Sequence, residues 1–173
     1  MSHLVQLVRI VTFHKRKMRK SAADLFVRDD VAAMGWPVVG NLRGKNMDQI
    51  ESILMNRYKY SKNHAANAAG QLLALRDRVK EGNTVFAYQC NNTVARVGKV
   101  IEEYKFNESN DLGDPQGPFK YPQQIRMEWR DRPRVPFDRS LLPDLQEWLA
   151  RRGTIVFCDY DLDALEAALR RIP

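Results

Sequence analysis

One glycine–lysine segment in this chain has the residue types of a phosphate-binding loop: Gly40-Asn41-Leu42-Arg43-Gly44-Lys45-Asn46. Such a loop, when it works in nucleotide hydrolysis, needs four residues between its glycines and a Ser or Thr after the lysine to bind magnesium. Here three residues lie between the glycines and Asn46 follows the lysine, so the nucleotide-hydrolysis reading is rejected. A nuclease would need clustered carboxylates with a lysine around a divalent metal. The acidic residues fall instead in turns (Asp111, Asp114), on solvent faces (Glu102, Glu103) or around a helix start (Asp159, Asp161, Asp163). His3, His14 and His64 have no metal-ligand spacing with one another or with Cys90 and Cys158. Both cysteines sit in apolar strand-like segments without a CxxC partner, which favours packing in a reducing cytoplasm; spacing alone also leaves a disulfide open. The expectation is a chain with no catalytic residue, no metal and no cofactor.

The remaining chemistry is charge. The 173 residues carry a formal net charge of +7, which points to a polyanionic partner through counterion release on phosphate contact, or else to a solvated surface. The densest basic run, His14 to Lys20, contributes Lys15, Arg16, Lys17, Arg19 and Lys20 as candidate phosphate contacts. Arg43 and Lys45 in the glycine segment, and Arg132 and Arg134 in a proline-containing basic loop, join them. No apolar run approaches the roughly 20 residues that span a bilayer. The amino terminus is too short and too alternating for a signal peptide. A cytoplasmic protein without membrane partners is expected.

The elements that must position these residues follow from periodicity. Residues 4–13 alternate as a strand, with Arg9 an exception on its apolar face. A helix is expected from Ser21 as N-cap to about Met34, ended by Gly35. Asn46 and Gln49 form a capping box ahead of a helix whose buried stripe is Met47, Ile50, Leu54 and Tyr58. A further helix begins near Ser61 and buries Ala65, Ala68, Leu72, Leu75 and Val79. Gly70 inside it suggests a close approach by a backbone or ligand, since an interior glycine costs about 1 kcal/mol against alanine. Strands at 84–90 and 93–101 flank Asn91-Asn92 as a hairpin, and Gln123–Arg130 alternates with Ile125, Met127 and Trp129 on the apolar side. Trp129 and Trp148 are both assigned to the core. A helix from Pro143 to Arg152, a strand 154–158 and a last helix matched to its macrodipole complete the chain. This order is not βαβ alternation. It predicts one α+β domain over residues 1–173, a partly closed β-barrel decorated by helices.

Several segments in this order resemble a known family: MGWPVVGNL, AGQLLAL, VKEGNTVFAY, GKVIEEYKF, YPQQIRMEW and the basic–proline turn into FDRSLLP. The chain from about Leu4 to Asp159 resembles the EVE branch of the PUA-like superfamily. It is especially similar to the amino-terminal reader domains of Mrr- and McrB-type modification-dependent restriction systems, relatives of the YTH domains. The resemblance implies a five- to six-stranded barrel with flanking helices that flips a base out of its stack and inspects it between aromatic and amide groups. A modified base must leave the stack to be read from all sides, and aromatic stacking returns about 1–3 kcal/mol per base.

The resemblance assigns Trp36 of the GWP segment to a pocket wall and Gln71 of AGQL to the reading of the base; as residues, a core tryptophan and a structural amide remain the alternatives. Phe86, Tyr88, Tyr121 and Gln123 are further candidates for the pocket. Gln89 falls on the same strand as Phe86 and Tyr88. Relatives often carry tryptophans flanking AGQL where this chain has Ala68 and Leu73, which implies a roomier or differently walled pocket. The implied function is a non-catalytic specificity domain for a modified DNA base in a defence system. Its partner is base-modified, double-stranded DNA, with a nuclease or NTPase fused to it or acting beside it. Modified RNA, or a free nucleotide in a sensor, are the other readings.

Overall fold

The computed structural model describes residues 4–12, 22–89, 93–109, 120–130, 135–136, 143–151 and 153–170. In chain order the elements are β1 (Leu4–Val11), α1 (Ala23–Arg28), β2 (Val31–Met34), a 3-10 turn (Pro37–Val39), α2 (Met47–Tyr58), α3 (Lys62–Asp77), β3 (Thr84–Gln89), β4 (Thr93–Phe106), β5 (Gln123–Trp129), β6 (Val135–Pro136), α4 (Pro143–Ala150), β7 (Ile155–Asp161) and α5 (Leu162–Arg170). The architecture is α+β. Six strands form one mixed sheet in the order β2-β5-β4-β3-β1-β7, and β6 adds to β4. Among the described residues only β1 and β3 pair in parallel.

The sheet does not close into the barrel that the sequence led us to expect. β2 and β7 are its edges and do not pair with each other. α3 packs against β4, β5 and β7, so a helix rather than a strand ladder fills the concave side. The inward residues Val8, Ile10, Val85, Val100, Ile125 and Ile155 join Ile50, Leu54, Leu72 and Leu75 in one large core. Opposite parity in the same strands feeds a second core: Leu7 and Phe86 pack with Leu145, Trp148 and Leu149 of α4 and with Leu165 and Leu169 of α5. Because strand side chains alternate, β1 and β3 are buried on both faces.

The helices follow local chemistry closely. Asn46 accepts from the Gln49 N–H at 3.0 Å, and the Gln49 side chain accepts from the Asn46 N–H at 2.9 Å. This reciprocal cap stabilises the start of α2 by about 1 kcal/mol. Ser61 caps α3 through the His64 N–H, and Ala65, Ala68, Leu72, Leu75 and Val79 are all buried. Full burial of each leucine is worth about 1.5–3 kcal/mol. Gly70 meets nothing closer than the Met47 Cε, 4.0 Å from where a Cβ would stand, so no other backbone among the described residues makes the expected close approach there.

The helix expected from Ser21 to Met34 is the main correction; its expected cap, Ser21, lies outside the described residues. α1 stops at Arg28, and Asp29-Asp30 turns the chain, with Asp30 at φ 51°. Val31–Met34 then runs antiparallel to β5, from Val31 opposite Arg126 to Met34 opposite Gln123. The helix propensity of two alanines is worth well under 1 kcal/mol per residue. A ladder that also buries Ala32, Ala33 and Met34 outweighs it.

Candidate nucleic-acid interface

Three segments converge on one cleft. The chain leaving β2 brings Trp36, α3 brings His64, Asn67, Ala68 and Gln71, and the turn before β7 brings Gly153 and Thr154. The four α3 residues stand at i, i+3, i+4 and i+7, which places them on one helix face. The cleft has a volume of about 270 Å³.

Trp36 sits at φ 62° and ψ 57°, left-handed backbone that a bulky side chain rarely adopts. Such a conformation costs on the order of 1–3 kcal/mol and persists only where the surroundings enforce it. Pro37 follows, starting the 3-10 turn, and the indole Nε1–H donates to the Tyr60 hydroxyl at 3.2 Å. Tyr60 in turn stacks on His64, with ring centroids 3.8 Å apart and planes within 8°. Trp36 is also packed on the large core. Trp36 thus both lines the cleft and packs on the core.

Gln71 is likewise both structural and presented to the cleft. Its Oε1 accepts the backbone N–H of Ile155. Only the oxygen of an amide can accept, so this bond fixes the orientation of the group. Nε2 lies toward Gly153, 3.2 Å from where a Cβ would stand. Gly153 adopts φ +119°, a region that favours glycine, so both its backbone and the neighbouring amide exclude a side chain at this wall.

The turn is gripped from the other side of the sheet by Arg9. Its Nη1 donates to the Leu149 and Arg151 carbonyls, the latter at 2.8 Å, and Nη2 donates to the Gly153 carbonyl. The guanidinium carbon lies 5.3 Å from the centroid of the Tyr88 ring. Burial pushes the Arg9 guanidinium below its ordinary pKa, partly opposed by Tyr88. Arg9, the exception in the strand pattern, thus reaches the end of α4, where carbonyls lack helical partners and attract a cation.

The other candidates lie elsewhere. Phe86 is buried against Trp148, edge to face with centroids 5.8 Å apart, and Tyr88 packs into the same second core. Tyr121 is buried edge-on to Phe26 at 5.8 Å, and burial raises its hydroxyl pKa. Gln123 is fully buried, its Oε1 accepting from Tyr104 at 2.7 Å and its Nε2 donating to the Gly40 carbonyl at 3.0 Å. None of these four lines the Trp36–Gln71 cleft. Both tryptophans assigned to the core pack there: Trp148 is buried, and Trp129 packs on the large core with its indole N–H donating to the Phe26 carbonyl. Leu73 also packs on the large core and is absent from the cleft wall, whereas Ala68 stands in it.

Among the basic candidates, Arg43 donates to the Tyr104 carbonyl at 3.4 Å and lines a separate groove beside Glu102 and Glu103. Lys45 donates to the Asn41 carbonyl, closing its own loop. Lys15, Arg16, Lys17, Arg19, Lys20, Arg132 and Arg134 lie outside the described residues, as do Cys90 and the Asn91-Asn92 turn. Cys158 is half-buried on β7, where burial pushes its thiol pKa up and so disfavours the thiolate.

Sequence reasoning passed over His64, Asn67, Gly153 and Thr154. The spacing of His64, Asn67 and Gln71 was a legible signal, a polar stripe beside the apolar one. Gly153 carried only the signature of a helix end, and Thr154 carried none. Among the described residues no carboxylate lines the cleft, whereas two further grooves are lined by Glu102 and Glu103. Among the described residues no three His, Cys, Asp or Glu side chains gather as a metal site, and no helix is long and apolar enough to cross a membrane.

No curated protein matches the chain. A family model does match, from residue 11 to residue 143, taking in Trp36, His64, Asn67 and Gln71 and ending ahead of the Gly153–Thr154 wall. The chain belongs to that family, described as a domain of unknown function, DUF8426.

Proposed function

We propose that this protein is a non-catalytic, PUA-like (EVE-type) reader that takes one modified base of DNA into the Trp36–Gln71 cleft. The observation that carries the reading is the meeting of Trp36 and Gln71. Two residues 35 positions apart, singled out for an aromatic wall and a reading amide, share one cavity of about 270 Å³. That volume falls just below the ~300 Å³ at which drug-sized ligand sites begin, which suits a single planar group. With its Oε1 taken by the Ile155 N–H, Gln71 keeps its Nε2 as a donor in the cleft lining, and Trp36 and His64, the latter stacked on Tyr60, offer aromatic surface. Ala68 in the wall leaves room where relatives carry a tryptophan. The net charge of +7 and a cleft lined by no carboxylate among the described residues suit a polyanion. In this reading the protein acts in the cytoplasm within a modification-dependent defence system, with strand cleavage supplied by a partner or another domain.

Titration against matched DNA and RNA oligonucleotides, each with and without modified bases, tests the reading. Modified duplex DNA should bind more tightly than unmodified, with affinity falling as salt rises. Trp36→Ala should abolish the preference for modification and leave non-specific binding intact. Equal loss of both would make Trp36 a folding residue, and preference for modified RNA would move the function to RNA. Absence of binding to every oligonucleotide at low salt would sink the proposal.

A further inference from the structure

The stripe on α3 that lines the cleft does not end at Gln71. His64, Asn67, Gln71, Ala74 and Arg78 recur at steps of three and four, so they follow one helix face to the end of α3. Along this face the helix meets the start of β7 twice. Gln71 takes the Ile155 N–H, and Arg78 lays its guanidinium over the Phe157 ring, with the central carbon 3.9 Å from the ring centroid. Phe157 has the same parity as Ile155 and packs on the same core. Arg78 itself is exposed, and no carboxylate among the described residues pairs with it. The ring offers the N–H donors of Arg78 no oxygen acceptor, and a guanidinium fork matches phosphate oxygens.

We propose that Arg78, seated over Phe157, is a phosphodiester-binding subsite for the strand whose base enters the Trp36–Gln71 cleft. This inference rests on the proposed base-reading function of that cleft. Seven residues of helix separate Gln71 from Arg78, about 10 Å along the axis. That is about three nucleotide steps of a duplex strand at ~3.4 Å each, so one strand can reach both. The subsite supplies affinity without sequence information, and stacking on Phe157 gives the cation a fixed address beside the cleft.

The test measures oligonucleotide affinity against salt concentration for the wild type and for Arg78→Ala, Arg78→Lys, Phe157→Leu and Trp36→Ala. Arg78→Ala should weaken modified and unmodified DNA alike, several-fold, and should reduce the slope of log K against log[salt] by about 1. Arg78→Lys should keep the slope, because the charge remains. Phe157→Leu should keep the slope while weakening binding, because the cation loses its seat. The slope counts neutralised phosphates, so a partial folding defect does not mimic its loss. An unchanged slope in Arg78→Ala overturns the subsite, even where Trp36→Ala shows that the cleft reads a base. A reduced slope in Arg78→Ala with an unchanged modification preference in Trp36→Ala keeps the phosphate contact and overturns the base reading. A wild-type protein that binds no oligonucleotide overturns both.

Discussion

Two arginines lie against aromatic rings on opposite sides of the sheet, and they differ in what their N–H groups meet. Arg9, over Tyr88, is buried and donates to the carbonyls of Leu149, Arg151 and Gly153. Arg78, over Phe157, is exposed and has no carboxylate partner among the described residues. A guanidinium supplied with fixed acceptors is part of the fold, because removing it strands the buried Leu149 carbonyl and two half-buried ones. One that keeps its donors in solvent can bind and release an anion at little structural cost. An arginine over an aromatic ring is thus a clamp on one side and, on the other, the docking point proposed above.

The two sides meet at Gly153, whose carbonyl is held by Arg9 and whose Cα faces the Gln71 amide. This makes the contrast breakable. Arg9→Ala should cause the largest loss of stability, about 3 kcal/mol or more, since three carbonyls lose a charged donor. Chemical denaturation would measure it, and a loss below 1 kcal/mol would show that water replaces the guanidinium without penalty. Gly153→Ala should come next. It forces a side chain into left-handed backbone and toward the Gln71 Nε2, costing about 1–3 kcal/mol. Preference for a modified base should fall further than stability alone explains, whereas the salt slope should stay at the wild-type value. Gly70→Ala should have the smallest effect and the opposite sign. It adds a methyl at ordinary contact distance from the Met47 Cε on a helix, raising stability by about 0.5–1 kcal/mol without touching the cleft. Destabilisation there, read by thermal unfolding, would mean that α2 and α3 pack more tightly than the 4.0 Å contact indicates.

Legibility in the sequence followed locality. α2 and α3 could be read because Asn46, Gln49 and Ser61 cap them and their apolar stripes are regular. β3, β4 and β5 could be read because they alternate around turn-forming residues. β2 was misread because its four residues, VAAM, carry neither alternation nor β-branched density. Only β5 beside them makes them a strand. Phe86 and Tyr88 were assigned to the cleft although their parity on β3 turns them to the second core. That choice depends on which helices cover which face of the sheet.

By itself, then, the sequence determined the helix caps, most of the strands and the basic balance. Each depends on nearest neighbours along the chain or on residue type. The tertiary structure alone decided that the sheet stays open around α3 and that Arg9 and Gln71 grip one turn from opposite sides. It alone set Arg78 on Phe157. These contacts join residues 79 to 144 positions apart, and such separations leave no periodic trace in a single sequence.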